Sequence, residues 1–457
     1  MLSNSSTAVR VRHEGVLRVI LRSRRTFLAA LWFLGGSQFL RGKYPKKRVD
    51  WFLNIFFADV DLDTGQLGRT SWQRIVSGLG GSSDTEVFGS GFYRRTRKYL
   101  AAGKARRLYF AELGRSFLLN EIHRETLPKD RRITAVTVDV TQRCNITCTH
   151  CFANSGPTKT KVLDTEKAIR FIREAVERGG CRFIAVLGGE PLLEVQRIIQ
   201  LADAFPFMPV LVFTNGSLAT DKTLAKLKDH RNIAIFVSLE GFRELTDDIR
   251  VSRSFDWADK ALDALHRSGL VYGASVTANK LNYREIVSED FTRYLDGKGC
   301  MFAWIFDYKP LGRAAESEKM ATLPVDTAER DHINRAVTSI NQRAGFIFIN
   351  TEADPALIGG CPAHRGTYVH LSCEGYITPC IAIRYYHPSI NIDDMTYDEI
   401  MASGFLTDFR AIGLGEGCPG KYHPDDFARW QEKHDTHELY EDDAVVTLGM
   451  PKHRSDQ

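Results

Sequence analysis

The order of apolar and polar positions changes period several times through the middle of the chain. Thr134 to Val140, TAVTVDV, is β-branched and alternating, which predicts a strand. From Thr165 to Arg178, Ile169, Ile172 and Val176 recur at spacings of three and four, the mark of an amphipathic helix. A short apolar strand is expected at Phe183–Leu187, then helix to about Ala204, then strand again at Pro209–Thr214. Gly273–Ala278 reads as a further strand, and Phe302–Gly312 closes the series. Repeated β-then-α units of this size imply an α/β core on a parallel sheet, over residues 131–315.

The flanks are patterned differently. Leu108–Ile122 predicts an amphipathic helix and Ser82–Tyr93 a Gly/Ser-rich loop, within an N-terminal extension of unknown role over residues 1–130. Residues 316–350 read as a polar helical connector. In residues 351–430, Tyr368–Leu371 and Tyr376–Ile377 predict a hairpin with Glu374-Gly375 at its turn. Residues 431–457 read as a polar tail.

A chain of 457 residues has room for two or three domains and a sizeable core. Its net charge of +5 is unevenly placed: residues 1–50 carry eleven Lys/Arg against two acids, so the remainder is acidic. Inside that basic zone, Phe27–Leu40 is apolar but shorter than the roughly 18 residues of a membrane span. It reads as a helix docked on the core, an interfacial membrane helix, a partner-docking element or part of a targeting signal. Trp51–Phe57 is a second apolar patch, so residues 1–57 raise a peripheral membrane contact.

Nine cysteines fall in clusters, which argues for metal ligation over a secreted disulfide framework. Cys144, Cys148 and Cys151 stand in C-x3-C-x2-C. Three thiolates so close can fold around one face of a cubane, and a [4Fe–4S] cluster takes four ligands, so one iron stays open. A zinc knuckle with a remote fourth ligand, or three buried cysteines meeting by chance, are the competing readings. Iron–sulfur chemistry needs reducing conditions, so a cytoplasmic location is expected, with a peripheral place on the inner membrane face as its variant. Cys181 and Cys300 lie outside ligand spacing and read as small buried hydrophobes.

The run VDVTQRCNITCTHC, at 138–151, resembles the cluster loop of the radical S-adenosylmethionine (radical SAM) superfamily, with His150 at the usual aromatic position. The resemblance implies a partial (β/α)6 barrel whose site lies at the C-terminal ends of the strands, where α/β barrels place their chemistry. It implies a [4Fe–4S] cluster that binds SAM, reductive cleavage to a 5′-deoxyadenosyl radical and hydrogen abstraction from a substrate. Gly188-Gly189-Glu190-Pro191 is similar to the motif that binds the SAM amino group. Thr214-Asn215-Gly216 and FVSLEG at 236–241 resemble two further motifs, with Ser238 a ribose contact and Glu240 in place of the usual Asp. ELTDDIRVSRSF, at 244–255, makes Arg250 a partner for the SAM carboxylate, and Val276 is expected at the adenine.

Cys361, Gly375 and Cys380 match C-x9–15-G-x4-C, which resembles the start of the auxiliary-cluster domain of the SPASM/twitch branch. Only Cys418 follows, so a single auxiliary [4Fe–4S] cluster is implied, on Cys361, Cys380 and Cys418. Cys373, His423 or a substrate atom could be its fourth ligand, and Cys373 could instead donate a hydrogen atom to a substrate radical. A zinc-bound or metal-free C-terminal domain is the alternative.

The branch implies a reductant such as flavodoxin or ferredoxin and a peptide or protein substrate. A lipid, membrane-bound or carbohydrate substrate is the alternative, and a SAM-binding scaffold or redox partner is the non-enzymatic one. No DNA-reading motif, Ser/His/Asp pattern or Gly-x-Gly nucleotide loop competes.

Overall fold

The computed structural model describes residues 131–350 apart from Phe207, 361–412 and 423–439, together with Leu127 and a two-residue antiparallel pairing of 59–60 with 67–68. The apolar stretches Phe27–Leu40 and Trp51–Phe57, the loop Ser82–Tyr93, the helix expected at Leu108–Ile122, and Cys418 lie outside the described residues.

Seven parallel strands form the core: β1 Ala135–Asp139, β2 Phe183–Leu187, β3 Val210–Thr214, β4 Ile233–Leu239, β5 Val271–Ala278, β6 Phe302–Asp307 and β7 Ile347–Asn350. They pair in that order. Helices α1 Thr165–Gly179, α2 Val195–Ala204, α3 Asp221–Leu227, α4 Arg243–Ile249, α5 Ser254–Ser268 and α6 Glu289–Gly297 cross over between them. This is the α/β arrangement that the alternating periods predict, in the form of a partial barrel.

Two elements extend it beyond the expected six strands. The connector holds helix α7, Thr327–Arg343, set by a capping box between Asp326 and Glu329, and then feeds β7 into the sheet beside β6. The C-terminal hairpin, β8 Tyr368–Leu371 and β9 Ile377–Thr378, is not a separate layer either. β8 pairs in parallel with β1, His370 opposite Thr137, and β9 runs antiparallel at the sheet edge. Gly375 sits in the turn with φ +91°, where a left-handed backbone favours glycine.

The sheet has two unlike faces. Val136, Val138, Ile184, Val186, Val212 and Val237 pack outward on Ile172, Leu201 and Leu262 of the helices. Leu211, Phe213, Ala234, Phe236, Phe302 and Trp304 face the lumen. Strands covered on both faces read as near-continuous apolar runs, which is why their sequence signal is strong. Helix α1 starts where Asp164 accepts hydrogen bonds from the N–H groups of Glu166 and Lys167, and stops at Gly180 with φ +65°. Truncating Ile172, fully buried on α1, to Ala would cost ~2–5 kcal/mol.

The C-terminal region is anchored on α1. Tyr397, fully buried at the start of α8 Tyr397–Ala402, receives the Glu174 carboxylate on its N–H at 2.8 Å and donates its hydroxyl to the Arg131 carbonyl at 2.5 Å. Among the described residues, no helix is long and apolar enough to cross a membrane.

Candidate active site

The three loop cysteines meet at the C-terminal end of β1. Cys144, Ile146 and Cys148 are buried together, with Cys151, Val251 and Trp257 packed against them. Burial pushes the Cys144 thiol up to about 11, and a hydrogen bond from the Ile146 backbone opposes that only in part. Burial likewise pushes Cys148 up to about 12, against the pull of Arg250. Thiols in this state are protonated at neutral pH, and a metal must displace their protons.

The loop is clamped from several strand ends. The Thr149 hydroxyl donates to the Ile249 carbonyl at 2.6 Å. Arg313, just beyond β6, donates through Nη1 to the Cys148 carbonyl at 2.6 Å and through Nη2 to the Ser155 carbonyl at 2.7 Å. Its own N–H donates to the Cys151 carbonyl. The sequence reading missed this arginine, whose signal was its place directly after the last expected strand.

Gly188 and Gly189 lie backbone-to-backbone against the same loop. The Gly189 N–H donates to the Thr141 carbonyl at 2.7 Å and the Glu190 N–H to the Arg143 carbonyl at 2.9 Å. Gly188 has φ +128°, and a Cβ on either glycine would be driven into a loop carbonyl, that of Thr141 or that of Arg143. Glu190, 0% exposed, spends both carboxylate oxygens on its own chain. Oε1 accepts from the Thr214 hydroxyl at 2.6 Å and the Leu192 N–H at 3.0 Å, and Oε2 accepts from the Asn215 N–H at 2.8 Å. Burial raises its pKa against those three bonds. Glu190 therefore ties the turn to Thr214-Asn215, and Pro191 is buried at the first position of the short helix that follows. Asn215 Nδ2 reaches Asn145 Oδ1 at 3.0 Å and Cys144 Sγ at 3.9 Å, which brings this motif onto the cysteine loop.

Glu240 is the organiser that sequence reading set aside. It is 0% exposed, and its Oε1 accepts from Arg250 Nε at 2.9 Å and Nη2 at 2.5 Å. His150 Nε2 lies 3.4 Å from the same oxygen, and the Thr277 N–H donates to Oε2 at 3.0 Å. Burial raises Glu240, but Arg250 and His150 outweigh it and hold the carboxyl below its ordinary value. Arg250 in turn feels the thiols of Cys148 and Cys151. His150 keeps Nδ1 buried without a partner.

Ser238 faces the lumen, half-buried, level with Ser275 on β5. Val276 does not face it. Fully buried on the helix side of β5, its side chain packs in the core that holds Leu239 and Ile305. Strand alternation presents its neighbours Ser275 and Thr277 to the lumen instead.

In the C-terminal region Cys361 and Cys380 are half-buried against the main core, and Cys373 is buried within it. Cys380 Sγ accepts from the Tyr368 hydroxyl at 2.9 Å and the Ala382 N–H at 3.3 Å. His423 has a buried Nε2 without a partner, and so has His364, which sequence reading missed although it lies three residues after Cys361. Cys181 and Cys300 are fully buried in the main core. Among the described residues, no three His, Cys, Asp or Glu side chains are grouped to hold one metal ion. Three thiolates that each take a different iron of a cubane do not need such a point.

A parallel partial barrel with a three-cysteine loop and a glycine turn at its strand ends defines the radical SAM class. Residues 138–288 match the family described as the Radical SAM superfamily, so the α/β core of this enzyme carries a radical SAM domain. The GTP 3′,8-cyclase of Listeria monocytogenes serotype 4b is 26% identical over 288 residues, covering 58% of this chain and 83% of that one. The sporulation killing factor maturation protein SkfB of Bacillus subtilis is 23% identical over 248 residues, covering 53% and 59%. The fold is similar to that of Streptococcus suis SuiB bound to its precursor peptide SuiA, with a TM-score of 0.51, 17% identity and coverage of 67% and 71%.

The family implies a [4Fe–4S] cluster and SAM, and the residues present fit both. Three thiols share one buried loop, the glycine turn exposes a close backbone surface beside them, and Arg250 stands next to Cys148.

Proposed function

We propose that this enzyme uses SAM-derived radical chemistry to modify a peptide or protein. Cys144, Cys148 and Cys151 would hold the SAM-binding cluster, while Gly188, Gly189, Asn215, Ser238 and Arg250 would receive SAM. When bound, the cluster and SAM supply reductive cleavage of SAM and removal of a substrate hydrogen atom. The chain's own residues do the positioning. Glu190 fixes the glycine turn, Glu240 fixes Arg250 and His150, and Arg313 closes the loop behind Cys148 and Cys151.

One observation carries the peptide reading. The cysteine hairpin is built into the sheet beside β1, so a second cysteine set at Cys361 and Cys380 shares a wall with the cysteine loop. That arrangement suits the SPASM/twitch branch and an auxiliary cluster on Cys361, Cys380 and Cys418, with His423, His364 or Cys373 completing it. The names of the relatives support the same reading, since SkfB is a maturation protein and SuiB was solved with a precursor peptide. Similarity to GTP 3′,8-cyclases supports a nucleotide as the second reading.

The test is anaerobic reconstitution followed by incubation with SAM, a reductant and candidate short peptides. 5′-Deoxyadenosine formation that rises with a peptide and yields a mass change on it supports the reading. A response to GTP alone would replace it.

A further inference from the structure

The lumen carries a group of aromatic rings that the positioning of SAM does not use. Trp304 and Phe306, two residues apart on β6, stack with centroids 5.6 Å apart and planes 8° apart. Phe213 meets both edge-on, at 5.6 Å and 5.9 Å, and Phe236 stacks on Phe213 at 5.0 Å. Phe213, Trp304 and Phe306 are only half-buried, so their ring surface is not spent on the core.

Strand register sets their depth. Ser238 pairs with Ser275, and Ser275 with Trp304, so Trp304 lies in the same cross-strand row as the ribose-contact position. Two strand spacings put it about 10 Å across the sheet from Ser238. Phe306 stands one pleat nearer the cofactor end, opposite Thr277. The ring platform thus lies level with Ser238 and Ser275, the serines that the lumen presents on β4 and β5.

Two further features narrow the occupant. Trp304 Nε1 is buried with no hydrogen-bond partner. An indole N–H in that state costs free energy until an acceptor arrives. Lumen-facing positions on β1 to β7 include no Lys or Arg, and their one charged residue, Asp139, lies 3.5 Å from His370 Nε2. A wall without cations is poorly matched to a triphosphate, and a lipid chain would leave the indole N–H unsatisfied.

We infer that the lumen recognises an aromatic side chain of the substrate peptide, stacked on Trp304 and Phe306, with the Trp304 indole donating to a peptide carbonyl. The inference rests on the peptide reading above and adds which residue the enzyme selects. Aromatic rings in offset or edge-on contact gain beyond their buried area, so selectivity over a polar residue is expected to be about tenfold.

The test uses the reconstituted enzyme with SAM and the probes acetyl-Gly-X-Gly-amide, where X is Phe, Tyr, Leu, Lys or Asp. Ligand-observed NMR gives the affinities, with GTP as a competitor. Phe and Tyr peptides are expected to bind about tenfold tighter than Lys and Asp peptides. Trp304→Ala should erase that preference, and Trp304→Phe should keep the preference while weakening all peptides. Phe306→Leu supplies the same test if Trp304→Ala fails to fold. Equal binding of all X overturns the aromatic inference and leaves the peptide reading standing. No peptide binding, with GTP binding lost in Trp304→Ala, overturns both.

Discussion

Glu240 grips Arg250 through one oxygen, Oε1, which accepts from Nε at 2.9 Å and from Nη2 at 2.5 Å, with Glu240 fully buried and the Arg250 side chain 11% exposed. The pair joins the end of β4 to the end of α4, next to Cys148. Removing one partner of a buried ion pair leaves the other charge uncompensated, at a cost of ~3–5 kcal/mol. Glu240→Gln should therefore destabilise the protein by about that amount and weaken SAM binding by tenfold or more, measured by denaturant unfolding and by equilibrium dialysis. Stability and SAM affinity both unchanged would remove Glu240 from the positioning role. The pH sign follows from its depressed carboxyl. Its stabilisation is present above the unfolded value of about 4.3 and is lost as pH falls through the lower folded value.

The glycine turn has no room for a side chain. Gly189→Ala must push the turn away from the Arg143 carbonyl, since backbone cannot yield as a flexible side chain would. The expected result is a folded protein that binds SAM at least tenfold more weakly, because close backbone approach is what glycine supplies there. Wild-type affinity in Gly189→Ala would refute this.

Arg313 bridges two loop carbonyls with a planar fork, which Lys cannot reproduce. Arg313→Lys should speed loss of iron to a chelator several-fold while secondary structure is retained. Release kinetics followed by absorbance check it, and an unchanged rate counts against the clamp.

The thiols predict the behaviour of the metal-free chain. Both are raised, Cys144 to about 11 and Cys148 to about 12, above an unfolded value of about 8.5. Their contribution is full below the unfolded value and disappears as pH rises through the folded ones. The denaturant midpoint of metal-free protein should fall between pH 8 and pH 11, and fall less in a Cys144→Ala/Cys148→Ala variant. Parallel pH profiles would contradict the buried-thiol geometry.

How much of this could be read from the sequence depends on the kind of information needed. Strands such as Phe183–Leu187 were legible because burial on both faces writes a continuous apolar run. The cysteine loop was legible from its spacing, and Gly188-Gly189 and Thr214-Asn215 from their resemblance to the motifs of the family that the loop points to. Partnership was not. The pairing of Tyr368–Leu371 with β1 joins segments more than 230 residues apart, and alternation marks a strand without naming its neighbour. The side of β5 that Val276 takes was not legible, because a resemblance gives a position along a strand and the pleat decides the side. Glu240 departed from the family's Asp, so the resemblance carried no role over to it, although its two oxygens gather Arg250, His150 and Thr277.

The most direct test of the central claim is EPR of the anaerobically reconstituted, reduced protein with and without SAM, in wild type and in a Cys144/Cys148/Cys151 triple Ala variant. The account predicts a [4Fe–4S] signal in wild type that shifts when SAM is added, and loss of the SAM-sensitive component in the variant. A wild type without a cluster, or a SAM-sensitive signal that survives in the variant, would contradict it.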